Sequence, residues 1–351
     1  MGDTTKRVRV GAVLLGGGAP VSVQSMTNTD TRDVDATVSQ IHALEAAGCD
    51  IVRSSVYNME CAKAFAQIRP QISIPLVADI HFDYRLAIAA MENGADKLRF
   101  NPGNIGDDAR VRALVSCAKA HHTPIRIGVN AGSMEKSLKE KYGGATPEAM
   151  VESAMKHVRL LEHEGFDDIV VSLKASTVRD TVEAYRCISK QIDYPLHIGV
   201  TETGNVADGI VKSSIGIGAL LHDNIGDTLR VSLTDDPVRE VEAGLRILRA
   251  LHLRRDDIEI ISCPTCGRTR VNIMEMVDRL SARLPRRKGY LKVAVMGCAV
   301  NGPGEAADAD IGIAFGDGNG VLFQRGEKIC SGKTDEIMDR LIQTATDMLQ
   351  G

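Results

Sequence analysis

Short β-branched runs alternate with helix-period segments along most of this chain. The runs are Val21–Ser25, Ile51–Val56, Leu76–Ile80, Lys97–Phe100, Ile125–Val129, Asp168–Leu173, Leu196–Val200 and Thr228–Leu233. Between the first two, Val34, Val38, Ile41 and Leu44 recur at spacings of three and four and stop at Gly48, the pattern of an amphipathic helix ended by glycine. Another helical stretch opens at Thr146-Pro147, a capping residue followed by proline at the first helical position. Eight strands alternating with helices predict an α/β chain built on a (β/α)8 TIM barrel, with an open doubly wound sheet as the competing arrangement.

A second regularity favours the barrel. The odd-numbered runs each follow a proline, Pro20, Pro75, Pro124 and Pro195, and proline is tolerated at a strand start. Three even-numbered runs carry Asp and, three residues on, Arg: Asp50/Arg53, Asp96/Arg99 and Asp227/Arg230. Such alternation is what four repeats of a two-strand unit would produce. Arg7 to Ala19 reads as a hairpin suited to plug the barrel floor. The charged segment Leu251–Asp257 lacks strand character and places a domain boundary there, giving a barrel over 1–255 and a second domain over 256–351. The second domain is expected to be small and α+β: a strand at Ile258–Ile261, a helix from about Thr269 to Leu284, strands at Leu291–Val295, Ile311–Phe315 and Val321–Phe323, and a last helix from about Asp335 to Leu349.

Composition narrows the function classes. A net charge of -4 gives no global attraction to nucleic acid or a membrane surface, so anion binding must come from local clusters of Arg and Lys. Met1 to Gly18 lacks the apolar core of a secretory signal, and no stretch is long and apolar enough to span a bilayer. The expected location is the cytoplasm, where the eight cysteines serve as thiols and ligands.

Three cysteines carry the chemistry. Cys263-Pro264-Thr265-Cys266-Gly267-Arg268 supplies a Cys-x-x-Cys pair, and Gly297-Cys298 a third thiol ahead of Asn301-Gly302-Pro303-Gly304-Glu305. Three thiolates with one harder ligand make an iron–sulfur cage with an open corner. Zinc closed by Cys330, and plain thiols, are the alternatives that spacing leaves open.

Barrel enzymes place their chemistry at the C-terminal strand ends. Here those ends offer Arg53, Asp79 and His81, Arg99 and Asn101, Arg126 and Asn130, Lys174, Glu202, and Arg230 and Ser232. Five cations at one mouth would repel one another without a shared anion, and phosphate or diphosphate fits guanidinium geometry. The plainer reading pairs each Arg with a local Asp. The Asn101-Pro102-Gly103-Asn104 turn could add backbone N–H groups. Glu202, an acid among bases, is either a proton-transfer group or a counter-charge for Arg230. Residues 130–146, with Lys136, Lys139 and Lys141, suit either a lid or a helical excursion with a solvated face.

Six motifs stand out together: Val23-Gln24-Ser25-Met26-Thr27-Asn28-Thr29, Asp79-Ile80-His81-Phe82, Asn101-Pro102-Gly103-Asn104 and Ile127-Gly128-Val129-Asn130 in the first domain, and Ser262 to Arg268 and Met296 to Glu305 in the second. On these motifs the chain resembles the bacterial 4-hydroxy-3-methylbut-2-enyl diphosphate synthase family. The resemblance implies reductive ring opening and dehydration of 2-C-methyl-D-erythritol 2,4-cyclodiphosphate in the non-mevalonate isoprenoid pathway. It implies a [4Fe–4S] cluster on Cys263, Cys266, Cys298 and Glu305, so that the carboxylate replaces Cys330. Arg53, His81, Arg99, Arg126, Lys174 and Arg230, with Asp79, would grip the diphosphate; Asn130, Ser232 and Asn301 would add hydrogen bonds; Glu202 would handle protons. It further implies homodimers in which one chain's cluster domain covers the other's barrel, and electrons from flavodoxin or ferredoxin. Arg283, Arg286, Arg287 and Lys288 are a candidate docking run for that acidic donor. The competing functions are a barrel enzyme on a phosphorylated or pterin-like substrate with a structural zinc domain, and a non-catalytic zinc-stabilised module.

Overall fold

The computed structural model describes residues 5–104, 108–285, 289–300 and 302–350. It divides into two compact units, the first ending at Leu253 and the second beginning at Arg254. The first unit opens with an antiparallel hairpin, β1 (Val8–Val10) and β2 (Val13–Leu15). Strands and helices then alternate: β3 (Ser22–Met26), α1 (Val34–Ala47), β4 (Ile51–Ser55), α2 (Met59–Ile68), β5 (Leu76–Asp79), α3 (Tyr84–Glu92), β6 (Lys97–Arg99) and α4 (Asp108–His121). The second half continues with β7 (Ile125–Asn130), α5 (Lys136–Tyr142), α6 (Pro147–His163), β8 (Ile169–Lys174), α7 (Val178–Ile188), β9 (His197–Ile198), α8 (Val206–His222), β10 (Thr228–Leu229) and α9 (Pro237–Ala250).

The eight strands from β3 to β10 are parallel, in the order β8-β7-β6-β5-β4-β3-β10-β9, and a parallel bridge between Val171 and Leu196 closes the ring. This is the TIM barrel that the alternating pattern predicts. The repeated Asp has a structural reason. Carboxylates of Asp50, Asp96 and Asp227 each accept the backbone N–H of a neighbouring odd strand, from Val23, Leu76 and Leu196 respectively, all at 2.8 Å. Each Asp thus secures an amide at the floor, and the Arg three residues on stands at the opposite end of its strand.

Residues two apart on a strand share a face. Ile51, Val77 and Val170 point down and pack with Val8, Val10 and Leu15 of the hairpin, which seals the N-terminal end with an apolar layer. Two residues further along β4 and β5 stand Arg53 and Asp79. The helices bury their apolar stripes on the outside of the strands. In α1, Val38, Ile41 and Leu44 are buried, Asp33 caps the first turn and Gly48 ends the helix at φ 92°.

The second unit contains β11 (Ile258–Ser262), α10 (Ile273–Arg283), β12 (Leu291–Met296), α11 (Gly302–Ala307), β13 (Ile311–Phe315), β14 (Asn319–Gln324), β15 (Glu327–Lys333) and α12 (Thr334–Met348). Its sheet runs β11-β12-β13-β14-β15, parallel through the first three strands and antiparallel after them. Leu280, Val293, Ile313, Phe315 and Met338 centre its core. The expected helix from Thr269 begins later, at Ile273, because Asn272 caps it and Thr269 is engaged with Cys266. Strand β15 was not expected: Glu327 to Lys333 is mostly polar, as suits a sheet edge facing water.

Candidate active site

The C-terminal mouth of the barrel encloses a cavity of about 110 Å³ lined by Arg53, Asp79, His81, Arg99, Arg126, Asn130, Ser172, Lys174, Thr201, Arg230 and Ser232. Nine of these are the residues that strand-end reasoning selected. Ser172 and Thr201 were missed, although Ser172 precedes Lys174 by two residues and so shares its face. A larger groove of about 530 Å³ lies along α8 and α9, among Val206, Ile210, Ala243 and Ile247, and has no comparable convergence of charge.

The geometry packs cations closely. Asp79 lies 3.8 Å from Arg53 and 3.6 Å from Arg99. Burial opposes ionisation of Asp79, but Arg53 and Arg99 outweigh it and hold the carboxyl below its ordinary range. Burial lowers the Arg53 guanidinium to about 10. Arg126 is 1% exposed, and its Nε and Nη1 have no hydrogen-bond partner among the described residues. Burial, then the neighbouring Arg230, Arg126 and Arg53, push Lys174 well below the usual lysine range. Below the mouth, Lys97 is fully buried, with Nζ unpartnered among the described residues, and is lowered by burial and by Arg126 and Arg53. His81 is also lowered, chiefly by burial.

Two glycines make room for these long side chains. A Cβ at position 128 would stand 2.7 Å from Arg99 Nε, and one at 199 would stand 3.0 Å from Lys174 Nζ and 2.4 Å from the Arg230 carbonyl oxygen. Arg99 Nη2 donates to the Gly128 carbonyl at 3.1 Å; the Asn101 side-chain N–H donates to the same carbonyl, and its Oδ1 accepts the Gly128 N–H.

Several expectations need correction. Arg230 is neutralised by Glu240 of α9, not by Glu202: Nε and Nη2 each donate to Glu240 at 3.2 Å. Glu202 is exposed, adopts φ 54°, and stands beside the cavity rather than in its lining. Two of the amides in the turn at Asn101–Asn104 are already engaged. The Gly103 N–H donates to His157 Nδ1 at 3.0 Å and the Asn104 N–H to the Asn101 carbonyl at 2.9 Å. Within residues 130–146 lies helix α5, whose Lys141 pairs with Glu152 at 2.6 Å and whose Lys139 donates to the Gly132 carbonyl, so the segment is a helical excursion.

In the second unit, Cys263 follows β11, and Cys298 and Glu305 follow β12, the neighbouring parallel strand. The Gly297 N–H donates to Cys263 Sγ at 3.2 Å. A side chain at 297 would meet Thr269 and Ile273 at 2.8 Å, so glycine is required for this approach. Cys266 is exposed, and the Arg268 N–H and the Thr269 hydroxyl hold its thiol below the usual range. Among the described residues, no three Cys, His, Asp or Glu side chains gather about one point as a single metal ion requires. Cys330 is remote. It pairs with Leu322, Leu322 with Ile313, Ile313 with Val295 and Val295 with Ser262, so it stands four strands across from the Cys263 edge, roughly 19 Å away at ordinary strand spacing. Asn301, Arg286, Arg287 and Lys288 lie outside the described residues. Arg283, the remaining member of the basic run, is already paired with Asp339 at 2.6 Å.

The chain matches the GcpE TIM-barrel domain over residues 5–245 and the GcpE protein C-terminal domain over residues 259–347. It is 54% identical to a protein of Ruminiclostridium cellulolyticum, covering 99% of this chain and 98% of that one. It is 55% identical to one of Geobacter sulfurreducens, covering 98% of each. Both are named 4-hydroxy-3-methylbut-2-en-1-yl diphosphate synthase (flavodoxin). The chain belongs to the GcpE family of 4-hydroxy-3-methylbut-2-en-1-yl diphosphate synthases.

As a GcpE-family enzyme, it acts in isoprenoid biosynthesis. The family assignment disfavours the alternative of a pterin-like substrate. A dihydropteroate synthase of Yersinia pestis superposes with a TM-score of 0.50 over 70% of this chain and all of that one, but at 10% identity the likeness shows the barrel fold alone. No helix among the described residues is long and apolar enough to cross a membrane. In this GcpE-family chain the barrel holds the cation-lined mouth, and the C-terminal domain holds the thiols and Glu305.

Proposed function

We propose that the protein forms 4-hydroxy-3-methylbut-2-en-1-yl diphosphate by two-electron reductive opening of 2-C-methyl-D-erythritol 2,4-cyclodiphosphate, with loss of oxygen as water. One observation carries the reading of the site. Arg53, Arg99, Arg126, Lys174 and Arg230 converge on one small mouth, and the carboxylates in contact with them among the described residues are Asp79 and Glu240. A buried excess of cations is costly until an anion joins it. The substrate's two phosphate groups supply that anion, with His81, Asn130 and Ser232 donating hydrogen bonds at the rim.

Cys263, Cys266, Cys298 and Glu305 would hold a [4Fe–4S] cluster. The donor set fits: three thiols, an amide N–H already directed at Cys263 Sγ, and one exposed carboxylate. A cluster with metals at several corners also tolerates wider ligand spacing than one zinc ion does. When bound, the cluster supplies electrons one at a time from reduced flavodoxin. The barrel residues orient the ring, and Glu202, beside the cavity, holds or delivers the proton at the carbon skeleton. The protein would work as a cytoplasmic homodimer.

The test is turnover by anaerobically reconstituted protein with reduced flavodoxin and the cyclic diphosphate. The allylic diphosphate should appear, and dithionite should bleach broad absorption near roughly 400 nm. Colourless protein with stoichiometric zinc and no product would overturn the reading.

A further inference from the structure

Glu240 is an acid on the inner face of α9, 4% exposed, four residues into the helix. Four groups donate to its carboxylate: Arg230 Nε and Nη2 at 3.2 Å each, the Leu233 N–H at 2.9 Å and the Ser25 hydroxyl at 3.3 Å. It therefore grips both a cation of the mouth and the backbone of the connection between β10 and α9. That connection carries Ser232. It is tied in turn to the connection between β9 and α8, because the Thr203 hydroxyl donates to the Ser232 carbonyl and the Thr234 N–H donates to the Gly204 carbonyl at 3.3 Å. Glu202 precedes Thr203 and holds φ 54°, a conformation that a glutamate keeps only when its surroundings fix it. Its Oε1 lies 3.9 Å from where a Cβ on Gly132 would stand, so it faces the connection that follows Asn130, the last residue of β7.

We propose that Glu240 is a positioning residue for the reaction: it fixes Arg230 and the Ser232 connection, and through Thr203 it holds Glu202 beside the mouth. The inference rests on the reading of Arg230 as a diphosphate ligand and Glu202 as the proton-handling group. A counter-charge role alone makes the opposite forecast. Removing a carboxylate from a site that binds an anion strengthens binding if only charge matters. If position matters, it lowers the rate of the bound substrate's conversion.

The experiment compares Glu240→Gln, Glu240→Asp, Thr203→Val and Arg230→Met in cluster-reconstituted protein. Steady-state turnover gives kcat and KM, and calorimetry gives Kd for the cyclic diphosphate. Glu240→Gln should lower kcat at least tenfold while Kd changes less than threefold, because the lost negative charge favours the anion as the loosened Arg230 disfavours it. Glu240→Asp should restore part of kcat, and Thr203→Val should lower kcat at unchanged Kd. Parent-level kcat in Glu240→Gln, or a loss confined to KM and Kd, overturns the proposal. If Glu240→Gln does not fold, Thr203→Val decides: an unchanged kcat overturns it. Arg230→Met tests the underlying reading separately. Unchanged Kd in that variant refutes Arg230 as a diphosphate ligand, whereas weakened Kd beside a normal Glu240→Gln refutes only the role of Glu240.

Discussion

Gly128→Ala adds one methyl group to the wall of the mouth and moves one guanidinium. The glycine's φ is not positive, so alanine suits the backbone. The new Cβ would stand 2.7 Å from Arg99 Nε and 3.2 Å from Nη2, where ordinary contact begins at 3.4 Å. Arg99 must therefore retreat by about 0.7 Å, which strains its 3.1 Å bond to the Gly128 carbonyl and its 3.6 Å approach to Asp79. Stability should fall by no more than about 2–3 kcal/mol. Restricting the unfolded chain contributes about 0.4–1 kcal/mol, and overpacking costs about 1–3 kcal/mol. Binding should weaken as well. A hydrogen bond to a charged partner is worth about 1.5–3 kcal/mol, so losing one to the diphosphate weakens Kd roughly 10- to 150-fold. Calorimetric titration with the cyclic diphosphate, beside a thermal melt, measures both. Gly199→Ala is the contrast: its Cβ would meet the Arg230 carbonyl at 2.4 Å, a backbone atom that cannot swing away, so that variant should lose stability outright. Undiminished affinity in a well-folded Gly128→Ala protein would refute the placement of Arg99 on the diphosphate.

Two further outcomes follow from the charges and the sheet. Burial and cationic neighbours hold Lys174 and Lys97 well below the usual lysine range, so the folded, unliganded protein binds fewer protons than the unfolded chain, and its stability should rise with pH toward that range. An arriving anion raises both groups again, so binding takes up protons and affinity falls as pH rises; the substrate's own phosphates, each with one strongly acidic oxygen, do not titrate near neutrality. Titrations in buffers of different ionisation enthalpy should show this uptake, and an enthalpy independent of buffer would contradict it. Separately, Cys330→Ser should leave iron and sulfide content at the parent level after reconstitution, while Cys263→Ser should lose most of it; iron analysis that ranks them the other way would remove the ligand assignment.

Much of the barrel was legible because its constraints are local. A proline before an odd strand and a β-branched run after it are read within a few residues. The Asp/Arg repeat was also visible, but its meaning needed the neighbouring strand, since each Asp serves an amide 20 to 31 residues away. Glu240 was invisible for the same reason. It sits two residues from Glu242, an exposed acid of the same helix, and nothing in the letters separates the two. What separates them is Arg230, ten residues earlier and just past the end of β10, which only the folded barrel brings into contact.

The order of layers in the barrel explains why the mouth can hold so much like charge. The floor is an apolar layer shared with the hairpin, so the groups that balance the cations stand above it. Two carboxylates, Asp79 and Glu240, hold Arg53, Arg99 and Arg230 in place, and Arg126 and Lys97 are left with donors that nothing among the described residues accepts. An apolar floor alone would serve a neutral ligand, and a full set of carboxylates would make the site merely structural. Leaving the donors unmatched stores part of the cost in the free protein. A ligand that binds only the folded state relieves that cost. The same unmatched donors discriminate, because a ligand lacking one phosphate would leave them buried and unpaired. On the proposed function, specificity for a doubly anionic ring would be set by what the barrel omits, the counter-ions for its inner cations, as much as by the side chains at its rim.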